Sequence, residues 1–295
     1  MTLHVVVPYW GDPGHLFGAV ASVRAQSTSD WLLTIVDDGY PGTAAAEHVG
    51  ALADPRIDYT RNPERLGPNG NTYRASRLVQ GEYLCMMGHD DLLEPGYAEL
   101  VVARMEADPA VVVVQPGVTV IDEDGAVRGG LADRVKAAIA PGAKAPVTLD
   151  GETAARSLLA GNWLYTPSLT YRASAVEKVP FHPGIDAIHD LAFVLDLLLD
   201  GGVLAVDPTP AFRYRRHRSS DSSQRARDGI RFEQEQRYFG EVAEELRARG
   251  WTRAERAARL HLFSRLHAAK VGVDLLAARD VARAGQVLRR AVRRV

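Results

Sequence analysis

Three apolar runs, residues 3–7, 31–36 and 83–87, stop abruptly at Pro8, at Asp37-Asp38-Gly39 and at Gly88-His89-Asp90-Asp91. Between them the apolar residues fall at helical spacing, as with Leu16, Val20 and Val23. Strands that are apolar throughout, instead of alternating, must be covered on both faces, and intervening helices supply the cover. The chain is therefore expected to form an α/β fold with a mostly parallel sheet flanked by helices. In such sheets ligands bind beyond the carboxyl ends of the strands. Pro8, Asp37 and Asp90 all lie there, so they can converge on one crevice although they are far apart in sequence.

The pattern continues with helical segments near 44–53 and 71–79 and a short strand at 57–59. Pro95 suits the first turn of a helix running to about residue 107, and 111–114 reads as another buried strand. Residues 122–151 are rich in Gly, Ala and Pro with little periodicity, and are expected to form a long loop-like insertion beside the site. Helix returns at 152–160 and 190–199, the second with Leu191, Val194, Leu195 and Leu198 on one face. Residues 203–206 and 211–214 read as strands. From about 224 onward the chain is helical and arginine-rich, which divides it into an α/β unit over 1–223 and a helical extension over 224–295.

Composition removes several function classes. The 46% hydrophobic and 24% charged fractions are those of a soluble globular domain. A net charge of −2 offers no overall footprint for nucleic acid. The single cysteine, Cys85, lies inside an apolar run, which excludes an intrachain disulfide framework and argues against a cysteine-based zinc site. Met1 leads directly into a strand without a basic flank or long apolar stretch, so neither a signal peptide nor a membrane span is expected and the cytoplasm is the default location.

The pair Asp90-Asp91 brings negative charge to the rim of a sheet, where it requires a cation or a set of donors. Taken alone it reads equally as a solvated loop pair. Taken in order with Val5-Val6-Val7-Pro8-Tyr9-Trp10, Val36-Asp37-Asp38-Gly39, Arg61-Asn62 with Gly67 and Asn71, Gly81-Glu82-Tyr83, Gly88-His89-Asp90-Asp91 with Pro95, His189-Asp190, and Tyr214-Arg215-Arg216-His217 with Ser220 and Ser222, it resembles an inverting nucleotide-sugar glycosyltransferase of the GT-A fold, family 2. The resemblance spans about 3–223 and leaves the C-terminal helices outside; within the α/β unit it implies nucleotide-sugar binding over about 1–115 and the acceptor side over about 116–223.

The resemblance implies Asp37 as the acceptor for the imide N–H of uracil, with Pro8 and Tyr9 lining the base pocket and Asn71 on the nucleotide side. The plainer readings are a turn aspartate, a role that suits Asp38 better than Asp37, and simple packing for Tyr9. It also implies Asp91 as ligand to Mn²⁺ or Mg²⁺, Asp90 as partner of the ribose hydroxyl, and His217 at the metal or diphosphate. Oxygen ligands and phosphate suit those cations. Arg215 and Arg216 add charge where a diphosphate must be held. Many relatives carry another Asp where this chain has Gly88, so the number of protein ligands is open. His89 is expected beside the metal, not on it.

Asp190 opens a helix, where the dipole favours a carboxylate whatever its function. The resemblance makes it the general base that deprotonates the acceptor hydroxyl, with His189 positioning the acceptor and Asp186 as the alternative base. The implied partners are a nucleotide-sugar donor, with UDP-sugar favoured, and a carbohydrate, lipid-linked or small-molecule acceptor. Two other functions compete. A sugar nucleotidyltransferase would begin with a glycine-rich basic loop, which Pro8-Tyr9-Trp10-Gly11-Asp12-Pro13 is not. A non-catalytic nucleotide- or sugar-binding protein on the same scaffold draws its support from Gly88. The last segment sets Arg279, Arg283, Arg289, Arg290, Arg293 and Arg294 against Asp280 with Val281, Val287, Leu288 and Val292 between them. It suits an anionic membrane surface or packing on the α/β unit, and the sequence leaves both open.

Overall fold

The computed structural model describes residues 1–180, 182, 185, 187–217 and 228–292. The first half alternates as expected: β1 (Leu3–Tyr9), α1 (Pro13–Arg24), β2 (Trp31–Asp37), α2 (Ala44–Leu52), β3 (Ile57–Arg61), α3 (Gly67–Ser76) and β4 (Tyr83–Met86). The Asp12-Pro13 step starts α1, with Asp12 Oδ1 accepting the Gly14 N–H at 2.7 Å and proline in the first turn, where its missing N–H costs nothing. Side chains of β1 alternate between two cores, Val5 and Val7 on one face of the sheet and Val6 on the other. That two-sided burial explains the unbroken apolar runs, and each fully buried valine or leucine contributes about 1.5–3 kcal/mol.

A two-residue strand, β5 (Leu92–Leu93), then leads to α4 (Tyr97–Ala107), β6 (Val111–Ile121), α5 (Leu131–Ile139), β7 (Val147–Asp150), α6 (Gly151–Ala160), a 3₁₀ turn (Thr166–Ser168), β8 (Thr170–Arg172), α7 (Ala173–Val176), α8 (His189–Leu199) and β9 (Val203–Arg215). The sheet runs β3-β2-β1-β4-β8-β6-β9-β5, with β7 also on β9. Pairings among β3, β2, β1 and β4 are parallel, as is β6 with β9, whereas β8, β5 and β7 join antiparallel. The parallel expectation thus describes the first half, and the second is mixed.

Two local expectations are corrected. The segment 122–151 is not a structureless insertion: α5 and β7 lie within it, and Asp133 anchors the start of α5 by accepting the Gly130 N–H at 2.8 Å. The runs 203–206 and 211–214 form one strand, because Pro208 and Pro210 fall at irregular register against β6 instead of ending it.

Beyond β9 the described chain is helical: α9 (Ile230–Ala248), α10 (Thr252–Leu260), α11 (Leu262–Ala277) and α12 (Val281–Val292). Tyr238, Phe239, Val242, Ala243 and Leu246 of α9 join the core formed with α6 and α8, while Phe232, Val271, Leu275 and Val287 form a smaller cluster of their own. Arg290 pairs with Glu233 at 3.2 Å and Arg283 with Asp228 at 3.7 Å, so part of the terminal basic face is spent on packing. Among the described residues no helix is long and apolar enough to cross a membrane. Arg293 and Arg294 lie outside the described residues.

Candidate active site

The parallel register places Tyr9 beside Asp37, at the carboxyl ends of β1 and β2. From there the chain builds an aromatic wall. The Tyr9 and Tyr40 rings lie 5.4 Å apart, Trp10 stands edge-on to Tyr40 at 5.5 Å, and the Arg65 guanidinium lies over Trp10 at 3.7 Å. The Tyr9 hydroxyl donates to the Gly11 carbonyl at 2.9 Å, and burial raises its pKa, so it stays protonated. Pro8, within β1, precedes this wall and pairs in register with Val36.

Asp37 is almost fully buried. Its Oδ1 accepts the Tyr40 N–H at 2.7 Å, and its Oδ2 accepts the Tyr59 hydroxyl and lies 3.4 Å from Arg61 Nη1. Asp37 therefore closes the turn, a role expected of Asp38. Asp38 instead reaches the loop before α3, accepting from Leu66 and Gly67 N–H at 2.7 and 2.8 Å and from Asn62 Nδ2 at 2.8 Å. Asn71 sits behind this network, its amide committed to the Val36 carbonyl at 2.8 Å and to Asn62 at 2.9 Å. Its place is at the carboxyl ends of the strands, as a brace for the loop.

After β4 the chain turns through Gly88-His89-Asp90-Asp91 into β5, and β5 pairs with β9. That pairing carries the end of β9 onto the aspartates: His217 Nε2 meets Asp90 Oδ2 at 2.6 Å across 127 residues of sequence. Arg215 locks the same corner, its N–H donating to Asp91 Oδ1 at 2.8 Å, its Nε to the Asp90 carbonyl at 2.8 Å, and its Nη1 to the carbonyls of Asp122 and Glu123 at 2.9 Å. Arg215 is thus a clamp on the aspartate turn. Arg216 points elsewhere, pairing with Asp133 of α5.

Asp91 is buried, and desolvation, followed by the neighbouring Asp90 charge, raises its pKa well above the ordinary carboxylate value. A Cβ at Gly88 would lie 2.6 Å from Asp91 Oδ2 and 2.9 Å from Asp90 Oδ1, so these two oxygens converge on the space that glycine leaves. The other oxygen of each is engaged, Asp91 Oδ1 by the Arg215 N–H and Asp90 Oδ2 by His217 Nε2, and the Gly88 N–H also acts on the Asp91 carboxylate. Two converging carboxylate oxygens fit Mg²⁺ or Mn²⁺, which commonly take one or two carboxylates and complete their shell with phosphate and water. No cluster of three or more His, Cys, Asp or Glu suited to a metal forms among the described residues, and His217 faces Asp90. The absent aspartate at Gly88 is explained by space: any side chain there would enter the carboxylate cradle.

His89 packs edge-on to Tyr9 at 5.7 Å and so tightly over Gly11 that a Cβ there would strike its Nε2. Burial lowers its pKa. His15 of α1, which no sequence signal singled out, stands 5.6 Å from His217, ring to ring.

Asp190 lies in the first turn of α8, after the N-cap position, which Ile188 occupies. Its Oδ1 accepts the Leu191 N–H at 2.8 Å and its Oδ2 the Thr166 hydroxyl at 2.6 Å. Burial pushes its pKa up, but His189, the Thr166 hydroxyl, the Leu191 N–H and Arg231 outweigh it and hold the carboxyl below its ordinary value. A half-buried carboxylate kept ionised can accept a proton only from a group brought to it. His189 is its helix neighbour. Asp186, Ser220 and Ser222 lie outside the described residues. Sequence reasoning missed Thr166, Lys136, Tyr165 and Arg231, none of which stands in a recognisable pattern.

The glycosyl transferase family 2 model matches residues 4–145. Over 105 residues the chain is 30% identical to the putative colanic acid biosynthesis glycosyl transferase WcaA of Escherichia coli (strain K12), covering 35% of this chain and 38% of that protein. Over 114 residues it is 32% identical to the succinoglycan biosynthesis protein ExoW of Rhizobium meliloti (strain 1021), covering 36% and 35%. The matched stretches thus span well under half the length of these curated relatives. Among solved structures, S. aureus TarS 1–349 in complex with UDP superposes with a TM-score of 0.62 at 13% identity, covering 98% of this chain and 90% of that one. Its complex with UDP-GlcNAc gives 0.61 at 13% identity, with 98% and 91% covered. At that identity the likeness shows the fold, which is the GT-A fold.

Proposed function

We propose that this chain, whose residues 4–145 match the glycosyl transferase family 2 model, is a metal-dependent inverting glycosyltransferase moving a sugar from a nucleoside-diphosphate sugar, with uridine as the base, to an acceptor hydroxyl. The observation that carries the reading is the carboxylate cradle of Asp90 and Asp91 at Gly88, closed by His217 from the far end of the sheet. His89 links this cradle to the aromatic wall, so a base and a diphosphate have adjacent places. Support comes from TarS, which shares the fold and is bound to UDP and UDP-GlcNAc in its own structures.

In this mechanism Tyr9, Trp10 and Tyr40 cover the base and Asp37 accepts its imide N–H through a remaining lone pair. Bound Mn²⁺ or Mg²⁺, held by Asp91 and Asp90, would neutralise negative charge on the diphosphate. His217 contributes a donor to the same phosphates when it exchanges Asp90 for them. Asp190 removes the acceptor proton as the acceptor oxygen attacks the anomeric carbon, and the nucleoside diphosphate departs from the opposite face. One displacement inverts the configuration, and no covalent intermediate forms. The acceptor belongs to the carbohydrate, lipid-linked or small-molecule alcohols, in a cytoplasmic setting in which the remaining basic face of α12 meets the inner membrane surface.

Calorimetric titration of UDP, with Mn²⁺ and with chelator, tests the donor side. Binding that requires the metal is expected. Failure to bind UDP in either condition overturns the donor, equal binding in both overturns the metal, and binding without turnover of any UDP-sugar leaves a nucleotide-binding protein.

A further inference from the structure

Asp190 owes its setting to segments outside its own helix. Thr166, whose hydroxyl reaches Asp190 Oδ2, opens the 3₁₀ turn, and the two residues before it are gripped by α5. Lys136 Nζ donates to the Leu164 carbonyl at 2.6 Å and lies 4.3 Å from the centre of the Tyr165 ring. Asp133 accepts the Tyr165 hydroxyl at 2.9 Å, and Gln115 Oε1 accepts the Tyr165 N–H at 3.0 Å. Four contacts therefore hold a two-residue strip whose next residue orients the carboxylate. Lys136 has no ion pair among the described residues, and burial pushes its pKa down to about 8 although Asp190 acts to raise it. A half-buried ammonium held only by a carbonyl and a ring is a costly way to fix a surface turn, and a hydrophobic contact would do that at lower cost.

Resting on the reading of Asp190 as the base, we propose that Lys136 and Thr166 are its positioning residues: α5 clamps 164–166, and the Thr166 hydroxyl fixes the carboxylate so that a second lone pair is presented to the acceptor hydroxyl. Neither touches the reacting atoms. Geometry, not added chemistry, is their contribution. Around Asp190 stand His189 on its own helix, Arg231 from α9, Lys136 from α5, Tyr171 from β8 and Tyr214 from β9. The depressed pKa keeps the base ionised down through the ordinary carboxylate range. Removing the Thr166 hydroxyl deletes one group that favours the ion and leaves burial, which favours the neutral form, so the acid limb of turnover moves to higher pH.

The test uses the full chain with UDP-sugar and acceptor, comparing Thr166→Val, Thr166→Ser, Lys136→Met and the Lys136→Met/Thr166→Val double variant. Valine keeps the shape of threonine and removes only the hydroxyl. Thr166→Val is expected to lower kcat roughly tenfold to a hundredfold with UDP affinity unchanged and the acid limb displaced upward, because hydrogen bonds to charged groups are among the stronger ones. Thr166→Ser should restore both. Lys136→Met should lower kcat less, and the double variant should fall no further than Thr166→Val, since the two residues act through one turn. An unmoved acid limb in folded Thr166→Val, or additive losses in the double variant, overturns the proposal. Asp190→Asn separates this failure from failure of the base itself: an inactive Asp190→Asn beside a normal Thr166→Val removes only the positioning roles, whereas an active Asp190→Asn removes the base.

Discussion

The two sides of the crevice are built by different means. On the side proposed to take the donor, Tyr9, Asp37 and the turn carrying Asp90 and Asp91 follow β1, β2 and β4, which are hydrogen-bonded neighbours running parallel. Their convergence is a consequence of strand order. On the side proposed to take the acceptor, Asp190 meets Thr166 from the 3₁₀ turn, Lys136 from α5 and Arg231 from α9, segments brought together only by packing. The carboxylates differ accordingly. Asp91 is raised by burial and by Asp90, whereas Asp190 is held ionised by charges and donors already around it. On the proposed reading one side receives a cation and the other a proton.

Three substitutions sharpen or break this comparison. The largest effect is expected at Asp190. Asparagine can still accept the Leu191 N–H but not a proton, so turnover should fall at least roughly a hundredfold while UDP affinity and Tm stay close to the parent values. Near-normal turnover with the true acceptor would make the donor side the whole of the site.

Asp91→Asn comes next, measured by UDP affinity in Mn²⁺ and by Tm in chelator. Metal-dependent affinity should be lost. Because the folded pKa of Asp91 lies above its unfolded value, the folded state binds more protons once pH exceeds about 4, and stability without metal declines as pH rises. Asparagine removes that loss, so Tm at pH 7 in chelator should rise by roughly 1–4 °C, with the gain vanishing near pH 3. An unchanged Tm together with unchanged UDP affinity in Mn²⁺ would show that the cradle carries no strain and no ion.

The smallest effect is assigned to His217→Ala. If it serves the diphosphate, UDP should weaken roughly tenfold and uridine hardly at all, in line with the strength of one charge-assisted hydrogen bond. Equal losses for both ligands would move His217 to the base pocket.

Legibility in the sequence follows the same division. Val5, Val6 and Val7 announce a strand buried on both faces, and the abrupt stops at Pro8, Asp37 and Gly88 locate the strand ends, so the α/β sheet and the residues at its strand ends were readable from local pattern. That Asp37 and not Asp38 closes the turn was not, because Asp38 is drawn away by Leu66 and Gly67, almost thirty positions along the chain. Nor was the order within 122–151, where α5 has few buried residues of its own and is fixed by Asp133 meeting Gly130, Tyr165 and Arg216.

The alternation of strand and helix and the residues at the strand ends were written in the chain itself, since these depend on periodicity and on neighbours along it. Only the tertiary structure decided that His217 closes on Asp90, that Gly88 makes room for two converging oxygens, and that Lys136 and Thr166 stand behind Asp190. Those contacts join residues tens to more than a hundred positions apart, and their geometry depends on how β5 meets β9 and how α5 lies against the 3₁₀ turn. Spacing along a chain carries no record of such distances; packing sets them.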